Sequence, residues 1–337
     1  MIKAIALLSG GLDSTLAAKT ILDQGIGLEA LNFLTVFCTC TSKGETCLAS
    51  QKAVDALGIP LRVFNVSEEY LDIVKNPKHG YGSNMNPCID CRIFMLKKAK
   101  IYMEETGASF IVTGEVLGQR PMSQRKDAMR LIEKAAGLEG LILRPLSARF
   151  LPVTIPEKEG WVRRDELPAI QGRSRKPQMQ MADRLGIRDY PCPAGGCLLT
   201  DPGFARRMRD LMCHKPHFAL NDVHLLKFGR HFRLSSNVKL VVGRNEEENQ
   251  KIQTFAREGD LLLKVLRYPG PLSLMRGEFN DSELERSASV TARYSKAKDF
   301  KRVDVSFWKA EEKEDERRFL SVSPILEKTI RELIVSE

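Results

Sequence analysis

Apolar residues in the first 150 positions come in short runs separated by helical patterns. Ile2–Leu8 is an apolar run of strand length, and Ser14–Gln24 spaces its apolar residues as a helix does. Leu28–Phe37 predicts a second strand, Thr46–Leu57 a helix closed by Gly58, and Leu61–Val66 a third strand. Cys88–Glu105 is amphipathic, with Ile93, Leu96 and Ile101 at helical spacing. Ser109–Thr113 predicts a fourth strand ending at Gly114, and Leu141–Arg144 begins a fifth. Strands alternating with helices predict an α/β unit, with an open parallel sheet covered on both faces. Ligands of such sheets sit at the carboxyl ends of the strands, where Ser9, Thr113 and Arg144 fall.

The pattern shifts near Phe150. Leu151–Gly160 holds two prolines and no clear period, and a polar, basic stretch through Gly172-Arg173-Ser174-Arg175-Lys176-Pro177 follows. From Asp201 the chain turns strand-rich, with Val238–Val242, Leu261–Val265 and Val303–Phe307 as candidates and a helical tail over Ile325–Val335. The expected organisation is a domain over 1–150, a connector over 151–200, and a smaller α+β domain over 201–337. No internal repeat or low-complexity segment interrupts it.

At 337 residues and 43% hydrophobic content the chain can bury two cores. No apolar run is long enough to span a bilayer, and no membrane partner is expected. The N-terminus lacks a charged lead and a cleavage site, so a cytoplasmic location is expected. In that compartment eight cysteines are better suited to metal ligation or catalysis than to disulfides. A formal charge of +9 suits a polyanionic partner. Part of it is concentrated in residues 201–233, where Arg206, Arg207, Arg209, Lys215, Lys227, Arg230 and Arg233 face only three aspartates. His214, His217, His224 and His231 lie in the same stretch, which suits a phosphate backbone. Cys213, His214 and His217 are also metal candidates. Oligomeric state is not legible in the chain.

Ser9-Gly10-Gly11-Leu12-Asp13-Ser14 carries the sharpest chemistry. Directly after an apolar strand, two glycines let backbone N–H groups approach an anion, the following helix N-terminus adds its dipole, and two hydroxyls add donors. No Gly-Lys-Ser/Thr follows, and the G-x-G-x-x-G dinucleotide pattern is missing. The string resembles the pyrophosphate loop of the PP-loop ATPases, which cleave ATP between the α and β phosphates and adenylate a carbonyl oxygen. Thr113-Gly114-Glu115-Val116-Leu117-Gly118-Gln119, Ser123-Gln124 and Leu143-Arg144-Pro145-Leu146 follow in that order. Together they resemble the ATP-binding domain of ThiI-type tRNA 4-thiouridine synthetases over the first 150 residues. The resemblance implies a Rossmann-like parallel sheet of the adenine nucleotide alpha hydrolase kind. It also implies that Ser9, Gly10, Gly11, Asp13 and Ser14 hold pyrophosphate with Mg²⁺. Thr113, Gly114 and Gln119 would sit near the nucleotide or target base, and Arg144 near the phosphates or in a surface salt bridge.

Asn86-Pro87-Cys88-Ile89-Asp90-Cys91 places two thiols at the start of a helix. They can grip a metal or cluster or act as a redox pair, and the helix N-terminus is expected to lower their pKa. The segment resembles MnmA-type tRNA 2-thiouridylases. Several sulfur-inserting PP-loop enzymes add a third, distant cysteine and hold a [4Fe–4S] cluster. Here Cys197, after Pro193-Ala194-Gly195-Gly196, is the third candidate, with Cys192 the weaker one. A persulfide route and plain structural thiols remain the alternatives. Cys38, Cys40 and Cys47 form a looser set for zinc, sulfur relay or packing.

Asp222–Arg230, Val242-Gly243-Arg244-Asn245 and Asn249 resemble the NFACT-R type RNA-associated domain. A THUMP domain precedes the loop in ThiI enzymes and a rhodanese domain ends some of them; neither has a counterpart here, so RNA binding is expected from the second unit. The resulting expectation is an ATP-dependent tRNA uridine thiolase using Asp13, Cys88, Cys91 and Cys197. Its partners would be tRNA and a sulfur donor, either sulfide or a cysteine desulfurase. Its product would be 4-thiouridine at tRNA position 8. The alternatives are 2-thiouridine synthesis through a persulfide, a PP-loop ligase or amidase on a small molecule, and a non-catalytic RNA-binding module.

Overall fold

The structure, a computed structural model, describes residues 2–39, 47–188, 190, 196–312 and 316–336. The chain divides into two compact units, Met1–Thr200 and Asp201–Glu337.

In the first unit β1 (Lys3–Leu7), β2 (Gly27–Leu34), β3 (Leu61–Asn65), β4 (Phe110–Thr113) and β5 (Ile142–Leu143) form a parallel sheet in the order β3-β2-β1-β4-β5. Its helices are α1 (Leu12–Leu22), α2 (Cys47–Leu57), α3 (Ser67–Lys75), α4 (Cys88–Thr106) and α5 (Lys126–Ala136). Ala4, Ala6, Phe110 and Val112 pack on one face with Leu16 and Ile21 of α1. Ile5, Leu31, Ile111 and Ile142 pack on the other with Leu96 of α4 and Ile132 of α5. Both faces of the central strands β1 and β4 are buried, which is why they read as apolar runs rather than alternations, whereas edge strand β3 is largely exposed. Strand order reverses between β1 and β4, and in sheets of this kind ligands sit at the strands' carboxyl ends at such a switch point.

Residues 151–200 belong to this unit and are not a bare connector. The Ile170 amide donates to the Leu146 carbonyl at 2.8 Å, and the Gly172 amide to that of Leu117 at 2.7 Å. A four-residue helix, α6 (Ile155–Lys158), starts on a Thr154–Glu157 capping box. Ala182 of α7 (Lys176–Arg184) joins the core beside α1. Elements this short leave no readable period.

The second unit is built on an antiparallel sheet. Its strands are β6 (Arg230–Arg233), β7 (Lys239–Val242), β8 (Leu261–Val265), β9 (Leu272–Arg276), β10 (Val303–Lys309), β11 (Arg318–Val322) and β12 (Ile334–Ser336), in the order β11-β10-β8-β9-β7-β6-β12. Helices α8 (Pro202–His214), α9 (Leu220–Leu225), α10 (Glu246–Thr254), α11 (Asp281–Arg293) and α12 (Glu327–Leu333) complete it. Leu240 and Val242 face the core that holds Ala288 of α11, while Val241 faces the one that holds Leu225 and Ile252. The tail is not all helix: it stops at Leu333, and Ile334 pairs with Phe232 of β6. β6 escaped sequence reading because Arg-His-Phe-Arg offers one apolar residue. Among the described residues no helix is long and apolar enough to cross a membrane.

Candidate functional site

The turn from β1 into α1 is shaped by its glycines. Gly10 has φ +74°, and a Cβ there would stand 2.5 Å from the Ala49 carbonyl carbon at the start of α2. Gly114, just past β4, would bring a Cβ to 2.5 Å from the Ser14 nitrogen. Both positions exclude any side chain without backbone movement. Around them Ser14 Oγ donates to the Gly11 carbonyl at 2.9 Å, the Ser9 amide lies 3.3 Å from Ser14 Oγ, and the Gly11 amide lies 3.4 Å from Ser9 Oγ. The two hydroxyls are 3.3 Å apart. No side chain caps α1, whose N-cap is Gly11, so its first amides are left for an anion.

Asp13 projects from the first turn of α1. Its Oδ2 accepts from Gln119 Nε2 at 3.1 Å, while its Oδ1 is buried without a hydrogen-bond partner. An orphaned carboxylate oxygen beside an anion cradle is the donor chemistry that suits Mg²⁺.

Behind the cradle lies a buried ionic network. Arg144 Nε donates to Glu115 Oε2 at 2.9 Å, and Arg144 Nη1 pairs with Glu133. Arg92 Nε stands 3.2 Å from Glu115 Oε1, and Thr113 Oγ1 donates to Glu115 Oε2 at 3.3 Å. Burial pushes Glu115 up, but Arg92 and Arg144 outweigh it and hold its carboxyl below the usual range. Arg144 is therefore no surface salt bridge, and its charge is already compensated by two carboxylates. Its Nη2, buried and unpartnered, is the one hydrogen-bonding edge left over.

Three segments bring four thiols together. Cys88 and Cys91 open α4 as expected. Cys197 folds back onto the end of β2: the Leu198 amide donates to the Phe37 carbonyl at 2.8 Å and the Thr39 amide to that of Gly196 at 3.3 Å, which pairs Cys38 with Cys197. The loop before α4 is tied to the same segment, by the Met85 amide on the Leu199 carbonyl at 3.1 Å and Asn84 Nδ2 on that of Thr200 at 2.7 Å. Asp90, between the two cysteines, accepts from the His79 amide at 2.9 Å and pairs with His79 Nδ1 at 2.8 Å. The charges of Cys88, Cys91 and Cys38 all act on Cys197. The buried Tyr70 hydroxyl hydrogen-bonds Cys91.

The expected lowering of thiol pKa by the helix terminus does not occur. Burial dominates and pushes Cys88 and Cys91 up, against the opposing charges of Arg92 and Arg120. Cys197 is raised to about 12, by burial first and then by the Cys91 charge. Among the described residues no three His, Cys, Asp or Glu side chains are close enough to grip a single ion, and this covers Cys213, His214 and His217. An iron–sulfur cluster is larger than one ion and holds its cysteine ligands further apart. An all-thiol donor set fits it in kind. Cys40 and Cys192 lie outside the described residues, as does the side chain of Cys47.

Residues 2–149 match the family model of the thiamine biosynthesis protein ThiI. This part of the chain is similar to the ThiI family. Residues 229–334 match the family model of the NFACT protein RNA binding domain. A tRNA-specific 2-thiouridylase MnmA from Marinobacter nauticus is 28% identical over 229 residues, 64% of this chain and 55% of the relative. A probable tRNA sulfurtransferase from Lysinibacillus sphaericus is 31% identical over 144 residues, 43% of this chain and 34% of the relative. The chain thus spans from a third to just over half the length of these relatives. A solved 4-thiouridine synthetase–RNA complex with bound ATP is similar at 24% identity and TM-score 0.35, over 55% of this chain and 51% of that one. A TM-score that low adds nothing to the fold.

The structure collects Ser9, Gly10, Gly11, Asp13, Ser14, Gly114 and Gln119 in one place, and Cys88, Cys91 and, from beyond the matched residues, Cys197 in another. Thr113 and Arg144 form the buried backing. Adjacent residues join the two places: Gln119 bonds Asp13, and the Arg120 charge acts on both Cys88 and Cys91. Sequence reasoning missed Tyr70, Arg92, Glu115 and Arg120, and left Cys38 out of the ligand set. Only Cys38 carried a signal, its position at a strand's carboxyl end.

Two cations of the basic stretch, Lys215 and Arg233, are held by carboxylates that they share with later residues. Asp210 binds Arg233 at 2.7 Å and Lys239 at 2.8 Å, and Asp222 binds Lys215 and Arg276, each at 2.9 Å. His231 is fully buried and held well below the usual histidine pKa by that burial, while His224 stacks on Phe255.

Proposed function

We propose that the chain is an ATP-dependent tRNA uridine thiolase. The observation that carries the reading is the junction at Gln119 and Arg120, which couples an anion cradle in the ThiI-like residues 2–149 to a thiol cluster. Likeness to tRNA sulfurtransferases and 2-thiouridylases supports the reaction class, and the match to an RNA binding domain supports tRNA as substrate.

The Ser9–Ser14 loop binds the pyrophosphate of ATP through backbone amides and the Ser9 and Ser14 hydroxyls, and Asp13 Oδ1 would hold Mg²⁺, which neutralises phosphate charge. The uridine carbonyl oxygen attacks the α-phosphorus and pyrophosphate leaves into the loop. The oxygen then departs as AMP when sulfur attacks the activated carbon. Cys88, Cys91 and Cys197 would hold a [4Fe–4S] cluster, which when bound supplies a Lewis-acid position for sulfide. Tyr70 orients Cys91. Sulfide or a cysteine desulfurase is the donor, and 4-thiouridine at position 8 is the product this reading favours. A persulfide route to 2-thiouridine uses the same residues, and the Cys38–Cys197 pairing supports it.

The test is nucleoside mass spectrometry of tRNA from a deletion strain complemented with wild type, Cys197→Ala or Asp13→Asn. Loss of one thiouridine, restored only by wild type, is expected. An unchanged thionucleoside profile in the deletion strain would sink the reading. Iron and acid-labile sulfide in anaerobically purified protein separate the cluster route from the persulfide route.

A further inference from the structure

We propose that a cavity of about 580 Å³ in the second unit receives one phosphate-bearing nucleotide splayed out of a bound RNA strand. The proposal rests on the reading of this unit as RNA-binding and names where that binding is most specific. The volume lies within the range of small-ligand sites. One wall is the β6–β7–β9 face, and the other comes from α8 and α9. Those two helices precede residues 229–334, the part that matches the RNA binding family. The cavity is thus made by a pairing of that sheet with this chain's own helical segment.

The lining has the three components a nucleotide needs. Leu211, Leu225, Leu226 and Val241 supply an apolar surface for a base. Lys215, Arg233, Lys239, Arg257 and Arg276 supply cations. Three carboxylates contact those five: Asp210 is shared by Arg233 and Lys239, Asp222 by Lys215, Arg257 and Arg276, and Asp260 binds Arg276 again. Glu258 and Glu278 also line the cavity, so carboxylates and cations balance in number. A phosphate would be met by the N–H groups of Lys215 and Arg257, whose side chains are 36% and 38% exposed, rather than by a net charge. Lys239 is nearly buried, and burial lowers its pKa to about 8, so an incoming anion would stabilise its charged form.

The third component is an acceptor. His231 is fully buried and lines the cavity. Its Nε2 donates to the Phe228 carbonyl at 2.7 Å, so in the neutral ring Nδ1 is an acceptor, and it has no partner. A buried acceptor without a donor is costly. A base imino N–H or a ribose hydroxyl would satisfy it. Phosphate, base and hydroxyl together describe a ribonucleotide unit.

Ser236 is exposed at the lining, so Ser236→Trp plugs the cavity without changing charge or disturbing the core. Full-length wild type, Ser236→Trp and Lys215→Met are compared for binding to a tRNA transcript across a salt series, with uridine 5′-monophosphate as competitor and as a ligand in thermal unfolding. Both variants should bind tRNA about tenfold more weakly while unfolding near the wild-type temperature, and Lys215→Met should lower the salt slope by about one. The monophosphate should compete in wild type and raise its unfolding temperature but not that of Ser236→Trp, which separates this cavity from nucleotide bound in the first unit. Wild-type tRNA affinity in a folded Ser236→Trp overturns the proposal alone. Failure of the wild type to bind tRNA overturns the RNA-binding reading and the proposal with it.

Discussion

Cys38 and Cys197 face each other as the central pair of a short antiparallel bridge whose two hydrogen bonds are made by their neighbours. Such a non-hydrogen-bonded pair sets its Cα atoms about 4.5 Å apart, inside the disulfide range of about 4.4–6.8 Å. Treatment of the apoprotein with oxidised glutathione is therefore expected to give a Cys38–Cys197 disulfide, with reduced glutathione released. Peptide mapping by mass spectrometry checks it. Linkage of Cys197 to Cys88 or Cys91 instead would show that the bridge does not govern thiol pairing.

The raised thiols predict an order of alkylation. Cys213 is exposed, whereas Cys197 is pushed to about 12. At pH 8 a thiol with that pKa holds about one part in ten thousand as thiolate, the reactive form. Among the described cysteines, iodoacetamide footprinting should label Cys213 first and Cys197 last. Early labelling of Cys197 would mean that its burial is broken in solution.

Glu115→Gln tests the backing network. Glu115 carries Arg144 and Arg92 with almost no solvent contact, so its neutralisation leaves buried charge uncompensated. Losing one member of a buried ion network costs about 3–5 kcal/mol. Urea unfolding should show a loss of that size. Under 1 kcal/mol would mean that Glu133 alone compensates Arg144.

Gly114→Ala tests the close approach between β4 and the cradle. Its added methyl would meet the Ser14 nitrogen at 2.5 Å, and backbone on both sides cannot give way cheaply. Overpacking of this kind costs about 1–3 kcal/mol. The larger effect is expected on ATP binding, because the Asp13–Ser14 turn must shift. Titration calorimetry with wild-type ATP affinity in the variant would show that the turn tolerates the shift.

The central strands β1 and β4 were legible because both faces are buried, which makes each an apolar run, and the cradle because glycine is forced there by backbone contact. The ionic network was not legible. Glu115 sits inside a motif read for its glycines, and its partners Arg92, Glu133 and Arg144 come from three separate elements that only folding brings together. Cys38 was set aside because no spacing rule links it to Cys197, and register between distant segments is a tertiary property. In the second unit β9 was hidden by Ser273, a polar residue buried because Thr291 Oγ1 donates to it at 2.8 Å.

Asp210 predicts how the second unit responds to acid. Burial pushes its carboxyl up, but hydrogen bonds from Arg233 and Lys239 outweigh this and lower it from 3.8 to about 2. Its side chain is only 10% exposed, so solvent screens the pairing little. Between those two values the unfolded chain binds the proton and the folded chain does not, so stability falls as pH drops through that window. The full loss is worth about 2 kcal/mol. Asp210→Asn cannot titrate and escapes this loss, but it starts lower at neutral pH because Arg233 and Lys239 lose their shared carboxylate, at a cost of about 3–5 kcal/mol. The stability gap between wild type and variant should therefore narrow by about 2 kcal/mol as pH falls from 5 to 2. Urea unfolding at a series of pH values measures it. A gap that stays constant would mean that Asp210 is not paired in solution as it is in the fold.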